Sequence, residues 1–196
     1  MLMSLIFFVV IATITPGGAT TLATASGVQF GFQRSLPLIF GIVLGLASLA
    51  AISAAGLGAV LNTEPSLKWL LKAIGSAYLL YLACRIGASE APGEASDISK
   101  KPMSVMGGAL LLWLNPKAWA MTLGAAASFG ALAHNAFVFA GTLGAAFGIA
   151  AVLSLSLWCA LGRTLAKSLR TRKHWRIANI SLGAILALSI LPLWLE

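Results

Sequence analysis

The sequence predicts an all-α membrane protein with six transmembrane helices, arranged as two inverted three-helix repeats with both termini outside. Three observations lead to this prediction. First, 59% of the 196 residues are hydrophobic and only 9% are charged, with a mean hydropathy of +0.95, whereas soluble domains carry about 25% charged residues. Second, six apolar segments are long enough to cross a bilayer. Third, a proline interrupts an apolar segment in each half of the chain, at Pro16 and Pro116.

The six segments each approach the roughly 20 residues that a spanning helix needs. They cover residues 2–26, 36–61, 67–86, 105–129, 137–161 and 177–195. Turn and helix-ending signals separate them, among them the glycines near Arg34, the turn at 62–65 and a long polar loop at 87–102. The first segment lacks the basic leader of a signal peptide and continues past Pro16, so we interpret it as an uncleaved first span.

The basic residues predict the orientation, because cytoplasmic loops are enriched in lysine and arginine. The stretches after the first, third and fifth segments hold ten of the 13 basic residues: Arg34; Arg85, Lys100 and Lys101; and Arg163, Lys167, Arg170, Arg172, Lys173 and Arg176. These stretches are expected to face the cytoplasm, and both termini therefore face outward. The residues from 163 to 176 are expected to contact anionic lipid headgroups, with a regulatory site as the alternative. No nucleic-acid partner is predicted from the net charge of +8.

The two halves of the chain, 1–98 and 99–196, are predicted to be repeats. Pro16 and Pro116 lie 100 residues apart. The same offset aligns further small residues: Ala25 with Ala125, Gly41 with Gly141, Ala50 with Ala150, and Ala51 with Ala151. Because each half holds an odd number of spans, the second half would be inverted, as in many secondary transporters. Chance matching of small residues is the alternative.

The two prolines predict irregular backbone inside the first and fourth spans. Proline lacks an N–H and clashes with the preceding turn, so Pro16 would free the carbonyl of Ala12 and Pro116 that of Leu112. Such backbone is tolerated in a membrane only where protein or a watery cavity satisfies it. The paired positions therefore predict a shared binding site, and simple proline kinks patched by threonine hydroxyls are the alternative.

Lys117 adds a positive charge at the second of these positions. It lies about 12 residues into the fourth span, roughly 18 Å along a helix and so near mid-membrane, where an ammonium costs at least about 2.5 kcal/mol. All five acidic residues lie in predicted loops or at the C-terminus. Three alternatives follow: carbonyls and Asn115 solvate the ammonium, the side chain snorkels to the outer interface, or an anionic substrate group such as an amino-acid carboxylate pairs with it.

The sequence lacks the residues that several other functions require. The spans contain no carboxylates and no cluster of cysteine, histidine and methionine for cation export. No Ser/His/Asp set, metal site or nucleotide-binding loop is present, so we predict no catalytic residue, no metal and no cofactor. Cys84 and Cys159 are interpreted as membrane-buried thiols.

Three stretches carry a family resemblance: TPGGATTLATASGVQFGFQRSLPLIFGIVLGL from Thr15, LKAIGSAYLLYLACRI from Leu71, and LWLNPKAWAM from Leu112. They resemble the LysE (lysine exporter) family of amino-acid exporters, most closely its homoserine/threonine and cysteine/O-acetylserine branch. The resemblance covers nearly the whole chain. It implies six helices, a bacterial inner-membrane location, secondary export of amino acids or their derivatives, and a homodimer.

We expect the substrate site at the two breaks and at two tyrosines that match the family's third-span segment: Thr15, Pro16, Gly17, Asn115, Pro116, Lys117, Tyr78 and Tyr81. Local packing is the alternative role of the tyrosines. The family usually reads TPGPN, whereas Gly18 and Ala19 stand here, without the asparagine amide. That departure leaves the substrate's identity open.

The resulting hypothesis is a secondary exporter of small amino acids or zwitterionic derivatives that works by alternating access. Half-helix ends and Lys117 would hold the carboxylate, and the carbonyls of Ala12 and Leu112 would hold the ammonium. The alternatives are an exporter of another small metabolite anion and a non-transporting membrane scaffold.

Overall fold

The computed structural model describes residues 1–57, 65–89, 102–132, 135–169, 171–191 and 194, and these residues form helices without strands. Eight α-helices are described: α1 (Leu2–Ile14), α2 (Gly18–Phe30), α3 (Phe32–Ile52), α4 (Pro65–Gly87), α5 (Val105–Trp113), α6 (Pro116–Phe129), α7 (Ala136–Ser168) and α8 (Arg172–Leu188). A π-helical turn, Ser53–Leu57, extends α3, and a 3-10 turn, Gly130–Leu132, follows α6. The all-α prediction is confirmed for the described residues.

Each predicted segment corresponds to a helix or to an interrupted helix in the described part of the chain. The first corresponds to α1 and α2, and the fourth to α5 and α6. The basic stretch continues the helix of the fifth segment, as the spacing of Arg163, Lys167 and Arg170 predicts, because α7 reaches Ser168. The next helix, α8, begins at Arg172, before the predicted start at residue 177. Thr171 starts α8 by accepting a hydrogen bond from the backbone N–H of His174 at 3.2 Å.

Only some of the described helices are long and apolar enough to cross a membrane alone. Phe32–Gly56 and Ala136–Ser168 meet this condition, and α1 with α2, bent by 53°, adds a third span if the pair is one segment. The break leaves α5 and α6 with 9 and 14 residues, short of the roughly 20 needed. The last helix, α8, has 17 residues and starts with a basic turn.

The helices pack around α3 and α7. α7 makes its most extensive contacts with α3 and α2, α3 also packs closely on α5, and α4 packs on α8. Small residues allow these close approaches, as is usual between membrane helices. A Cβ added to Gly27 would overlap the α7 backbone and one added to Gly162 the α2 backbone, while Gly41 and Gly108 have the same relation between α3 and α5.

Several predictions fall outside the described residues. These are the turn at 62–64, the polar loop at 90–101 with Lys100 and Lys101, and the positions His134 and Arg170, together with all five acidic residues. Of the two thiols, Cys159 is buried as predicted. Cys84 lies on a face of α4 that the other described helices leave exposed, and its burial in the membrane stays a prediction.

Candidate functional site

The first break separates α1 from α2 at Thr15, Pro16 and Gly17. Thr15 has the extended ψ of 130°, and Gly17 is extended and precedes the first turn of α2. The two helices meet at an angle of 53°. A simple kink does not describe this segment, because three residues leave helical geometry.

Side chains of α7 satisfy carbonyls at the end of α1. The Ser154 hydroxyl donates to the Thr13 carbonyl at 2.8 Å, and the Trp158 indole N–H donates to the Ile14 carbonyl at 3.1 Å. A helix leaves its last four carbonyls without intrahelical partners, and in a membrane the protein must supply them. Sequence reasoning missed both residues. The available signal was a serine and a tryptophan four residues apart, which share one face of an apolar helix.

Lys117 reaches the same break from the second half of the chain. Its Nζ donates to the Thr15 carbonyl at 2.9 Å and to the Pro16 carbonyl at 3.3 Å. The ammonium thus lies at the C-terminus of α1, where the helix dipole is negative. Among the three alternatives for Lys117, this geometry corresponds to solvation by carbonyls, but Asn115 does not contribute to it. The side chain crosses Gly17, where an added Cβ would come within 3.1 Å of Lys117 Cδ and Nζ.

At the second break, Leu114 and Asn115, the backbone groups find their hydrogen-bond partners within the same segment. Asn115 Oδ1 accepts a hydrogen bond from the Lys117 backbone N–H at 3.1 Å and so caps α6. Pro116 occupies the first position of α6, where its missing N–H has no cost. The prediction of a free Leu112 carbonyl is wrong, because that carbonyl accepts from the Asn115 N–H at 3.1 Å.

The threonines near the first break bond to the backbone, as one alternative held. Thr13, Thr15 and Thr24 donate to carbonyls four residues earlier at 2.8, 2.6 and 2.8 Å. Thr20 closes the start of α2, since its hydroxyl accepts from the Gly17 N–H at 2.8 Å and donates to the Gly17 carbonyl at 3.0 Å. In this conformation their hydroxyls stabilise the break.

A small cavity of about 30 Å³ lies where the two breaks meet. The polar part of its lining comes from both breaks: Thr15, Gly17, Gly18, Thr20, Asn115 and Lys117. Apolar residues of α3, α6 and α7 also line it, among them Ile42, Leu46, Met121, Ala151 and Leu155. A volume of this size holds one or two waters, whereas small-molecule sites usually have about 300–1,000 Å³. An amino acid therefore needs a rearrangement of the helices.

The two tyrosines lie apart from this cavity. Tyr78 and Tyr81 stack on each other on α4 with their ring centroids 6.4 Å apart, and neither lines the cavity. The other six predicted residues come together. α4 instead approaches the second break through Gly75, where an added Cβ would overlap the Leu114 carbonyl.

The departure from the family pattern has a structural counterpart. A Cβ at Gly18 would lie 3.0 Å from Leu79 Cδ2 and 3.4 Å from both Asn115 Nδ2 and Leu186 Cδ1. The space beside Gly18 is thus filled by side chains of α4, α8 and the second break. Ala19 lines the cavity, so that wall carries a methyl group where the usual pattern has an amide.

Comparison with known proteins relates the chain to a family. The model of the LysE type translocator family matches residues 6–191. An uncharacterized membrane protein of Vibrio cholerae is 31% identical over 90 residues, which are 46% of this chain and 44% of that protein. Cysteine/O-acetylserine efflux proteins of Salmonella typhi and Escherichia coli K12 are 29% identical over 96 residues (49% of this chain, 48% of the relative) and 28% over 110 (56% and 55%).

The aligned part of the chain spans about half the length of these relatives. No solved structure matches it. The family match, in contrast, begins within α1, runs through both broken segments and ends at residue 191, beyond α8. The chain therefore belongs to the family of LysE type translocators, which are membrane transport proteins.

Proposed function

We propose that the protein is a secondary exporter of small amino acids or their zwitterionic derivatives across the bacterial inner membrane. One observation carries the proposal: the ammonium of Lys117, from the second break, is bound by the Thr15 and Pro16 carbonyls of the first. Family membership and the names of the efflux relatives support the substrate class.

The breaks offer complementary charges to a zwitterion. The N-termini of α2 and α6, at Gly18 and Pro116, border the cavity region and attract anions such as a carboxylate. The carbonyls of Thr15 and Pro16 attract cations, and Lys117 occupies them in this conformation. A substrate ammonium would replace Lys117 there, and the released Lys117 would then bind the substrate carboxylate. The carbonyls of Thr15 and Pro16 take the role first given to those of Ala12 and Leu112, and the Leu112 carbonyl accepts from the Asn115 N–H.

The rest of the cavity wall favours a small, uncharged substrate side chain. Ile42, Leu46 and Leu155 line it, and Ala19 adds a methyl group beside the first break. A charged side chain would lose its hydration there without a partner. This lining supports amino acids with short side chains over the basic ones.

Alternating access is proposed to arise from two inverted repeats, 1–98 and 99–196, which form six spans with both termini outside. In such a pair, equivalent helices meet across the pseudo-twofold axis, and the close pairings of α3 with α7 and of α4 with α8 fit this arrangement. The two broken spans do not follow this symmetry. In the first span the second half, α2, packs mainly on α7, whereas in the fourth span the first half, α5, packs more closely on α3 than α6 does. The same proposal includes a homodimer. It also includes contacts with lipid headgroups by Arg163, Lys167 and the basic residues from Arg172 to Arg176.

The test is efflux of a labelled panel of serine, threonine, homoserine, cysteine and O-acetylserine from proteoliposomes. Wild type is expected to release a few of these, and Lys117→Gln to lose at least about tenfold in rate, because a charge-assisted contact of about 1.4 kcal/mol or more disappears. Lys72→Gln, which removes a positive charge from α4 outside the cavity, is the matched control and should retain efflux.

Three outcomes would contradict the proposal in whole or in part. If folded wild type releases no amino acid but releases another small anion, the substrate class is wrong. If it releases no solute and tolerates substitutions at both breaks, the scaffold alternative holds. Equal efflux by wild type and Lys117→Gln would remove Lys117 from the site.

A further inference from the structure

A second, larger cavity lies between α2, α3 and α4. Its volume is about 360 Å³, within the usual range of small-molecule sites and far above that of the cavity at the breaks. Its lining includes Gln29 near the end of α2, Arg85 and Ser89 near the end of α4, and Met103. These positions adjoin the stretches with Arg34 and with the polar loop, which the distribution of basic residues assigns to the cytoplasmic side.

The two cavities follow the same helix faces. On α2, Gly18 lines the smaller cavity, and Leu22 and Ser26, four and eight residues later, line the larger one. On α3, Ile42 lines the smaller cavity and Leu38, four residues earlier, the larger one. Residues four apart share a helix face, so the cavities lie one above the other, about 12 Å apart from Gly18 to Ser26 at 1.5 Å per residue.

Apolar side chains occupy the junction between the cavities. Leu38 and Ile42 are each 1% exposed and Leu22 is 7% exposed. Leu79 belongs to α4, the third helix that lines the larger cavity. Its Cδ2 lies 3.0 Å from the position that a Cβ of Gly18 would take. A polar solute cannot pass such a constriction until the helices separate, which is the behaviour expected of a gate.

The larger cavity contains a group suited to carboxylates. Arg85 is the charged side chain among its described lining residues, and its guanidinium lies 5.8 Å from the centroid of the Tyr81 ring. A guanidinium binds a carboxylate through two parallel hydrogen bonds, and stacking on an aromatic ring limits its freedom. Ser26 and Ser89 add hydroxyl groups to the lining.

We propose that the larger cavity is the cytoplasmic vestibule of the exporter, in which Arg85 binds the substrate carboxylate before the substrate passes Leu22, Leu38 and Ile42 to the two breaks. Tyr81 is a positioning residue that holds the Arg85 guanidinium towards the vestibule. The assignment rests on the proposed export function, and it extends that function by a second carboxylate site on the route to the first.

The first measurement is the initial rate of serine or O-acetylserine uptake into inside-out membrane vesicles, where uptake corresponds to export. Arg85→Gln is expected to raise KM about tenfold, equivalent to about 1.4 kcal/mol, with kcat within about twofold. Tyr81→Leu should raise KM less than Arg85→Gln does. Arg34→Gln removes the same charge from the same side without altering the cavity lining, and its KM should equal that of wild type. An unchanged KM in Arg85→Gln, or an equal rise in Arg34→Gln, would overturn the vestibule.

The second measurement does not require transport. An Ala88→Cys variant, made with Cys84→Ser and Cys159→Ser, places a thiol in the cavity lining. A membrane-impermeant maleimide should label it in inside-out but not in right-side-out vesicles. Serine should slow the labelling, ethanolamine, which lacks the carboxylate, should not, and Arg85→Gln should abolish the protection. Gln33→Cys, exposed on the same side, should be labelled without protection.

The two measurements separate the two proposals. Protection of Ala88→Cys by serine without transport of any amino acid would support the carboxylate site and reject the export function. Transport by wild type without protection, or labelling of Ala88→Cys from the outer side only, would reject the vestibule and leave the export function in place.

Discussion

At the scale of single residues, the first break is held by side chains from distant parts of the chain. Ser154 and Trp158 of α7 and Lys117 of α6 donate to four successive carbonyls, those of residues 13 to 16. Lys117 is the mobile member of this set in our proposal, because a flexible ammonium can exchange one anionic or carbonyl partner for another. In the same proposal, Ser154 and Trp158 keep their hydrogen bonds and hold the end of α1 in place during that exchange.

Ser154→Ala tests this fixed role. The substitution removes the donor to the Thr13 carbonyl at 2.8 Å, and an unpaired carbonyl in this environment is expected to cost about 1 kcal/mol. The melting temperature in detergent should fall by roughly 2–4 °C for a chain of this size. Ser156→Ala, on the same helix but outside the break, is the control, and an equal shift for both variants would contradict the role of Ser154.

At the scale of elements, glycine determines which helices can reach the breaks. Gly75 lets α4 approach the Leu114 carbonyl and Pro116 Cδ. The two tyrosines of α4 nevertheless do not line the cavity at the breaks. Gly141, in contrast, has open space around its Cβ position, whereas Gly41, its partner at the offset of 100 residues, is tightly packed against Val105. The sequence offset therefore pairs glycines with different packing roles.

Gly75→Ala and Gly141→Ala are expected to have effects of opposite sign. The added methyl group at position 75 would overlap the Leu114 carbonyl at the second break, and such overpacking costs about 1–3 kcal/mol. At 141 nothing obstructs it, and replacing a helical glycine by alanine stabilises by up to about 1 kcal/mol. Thermal unfolding in detergent measures both, and a stabilised Gly75→Ala would refute the close approach of α4.

At the scale of the whole molecule, our two proposals place the two cavities and the two breaks on one route along α2 and α3. The cavity of about 360 Å³ can admit a small solute, while that of about 30 Å³ cannot. In this conformation, the cavity at the two breaks is therefore closed to a small solute. Movement of α2 against α3 and α4 would open the junction at Leu22, Leu38 and Ile42, and the reciprocal movement on the other side would complete transport.

The proposed topology can be tested with two exposed serines. Ser66 in the first turn of α4 is expected outside, and Ser168 at the end of α7 is expected in the cytoplasm. In a background with Cys84→Ser, an impermeant maleimide should label Ser66→Cys only in right-side-out vesicles and Ser168→Cys only in inside-out vesicles. Labelling of both positions in the same vesicles would rule out an odd number of crossings between them.

Local composition and proline's missing N–H predict the membrane class, the helical segments and the positions of both breaks, and the resemblance of three sequence stretches predicts the family. Tertiary structure provides the partners of the first break, whereas local contacts satisfy the second. The Leu112 carbonyl accepts from the Asn115 N–H in its own segment, whereas the carbonyls of residues 13 to 16 accept from Ser154, Trp158 and Lys117, which are more than 100 residues away. Local periodicity carries no information about such long-range pairs, which depend on how the helices pack around α3 and α7.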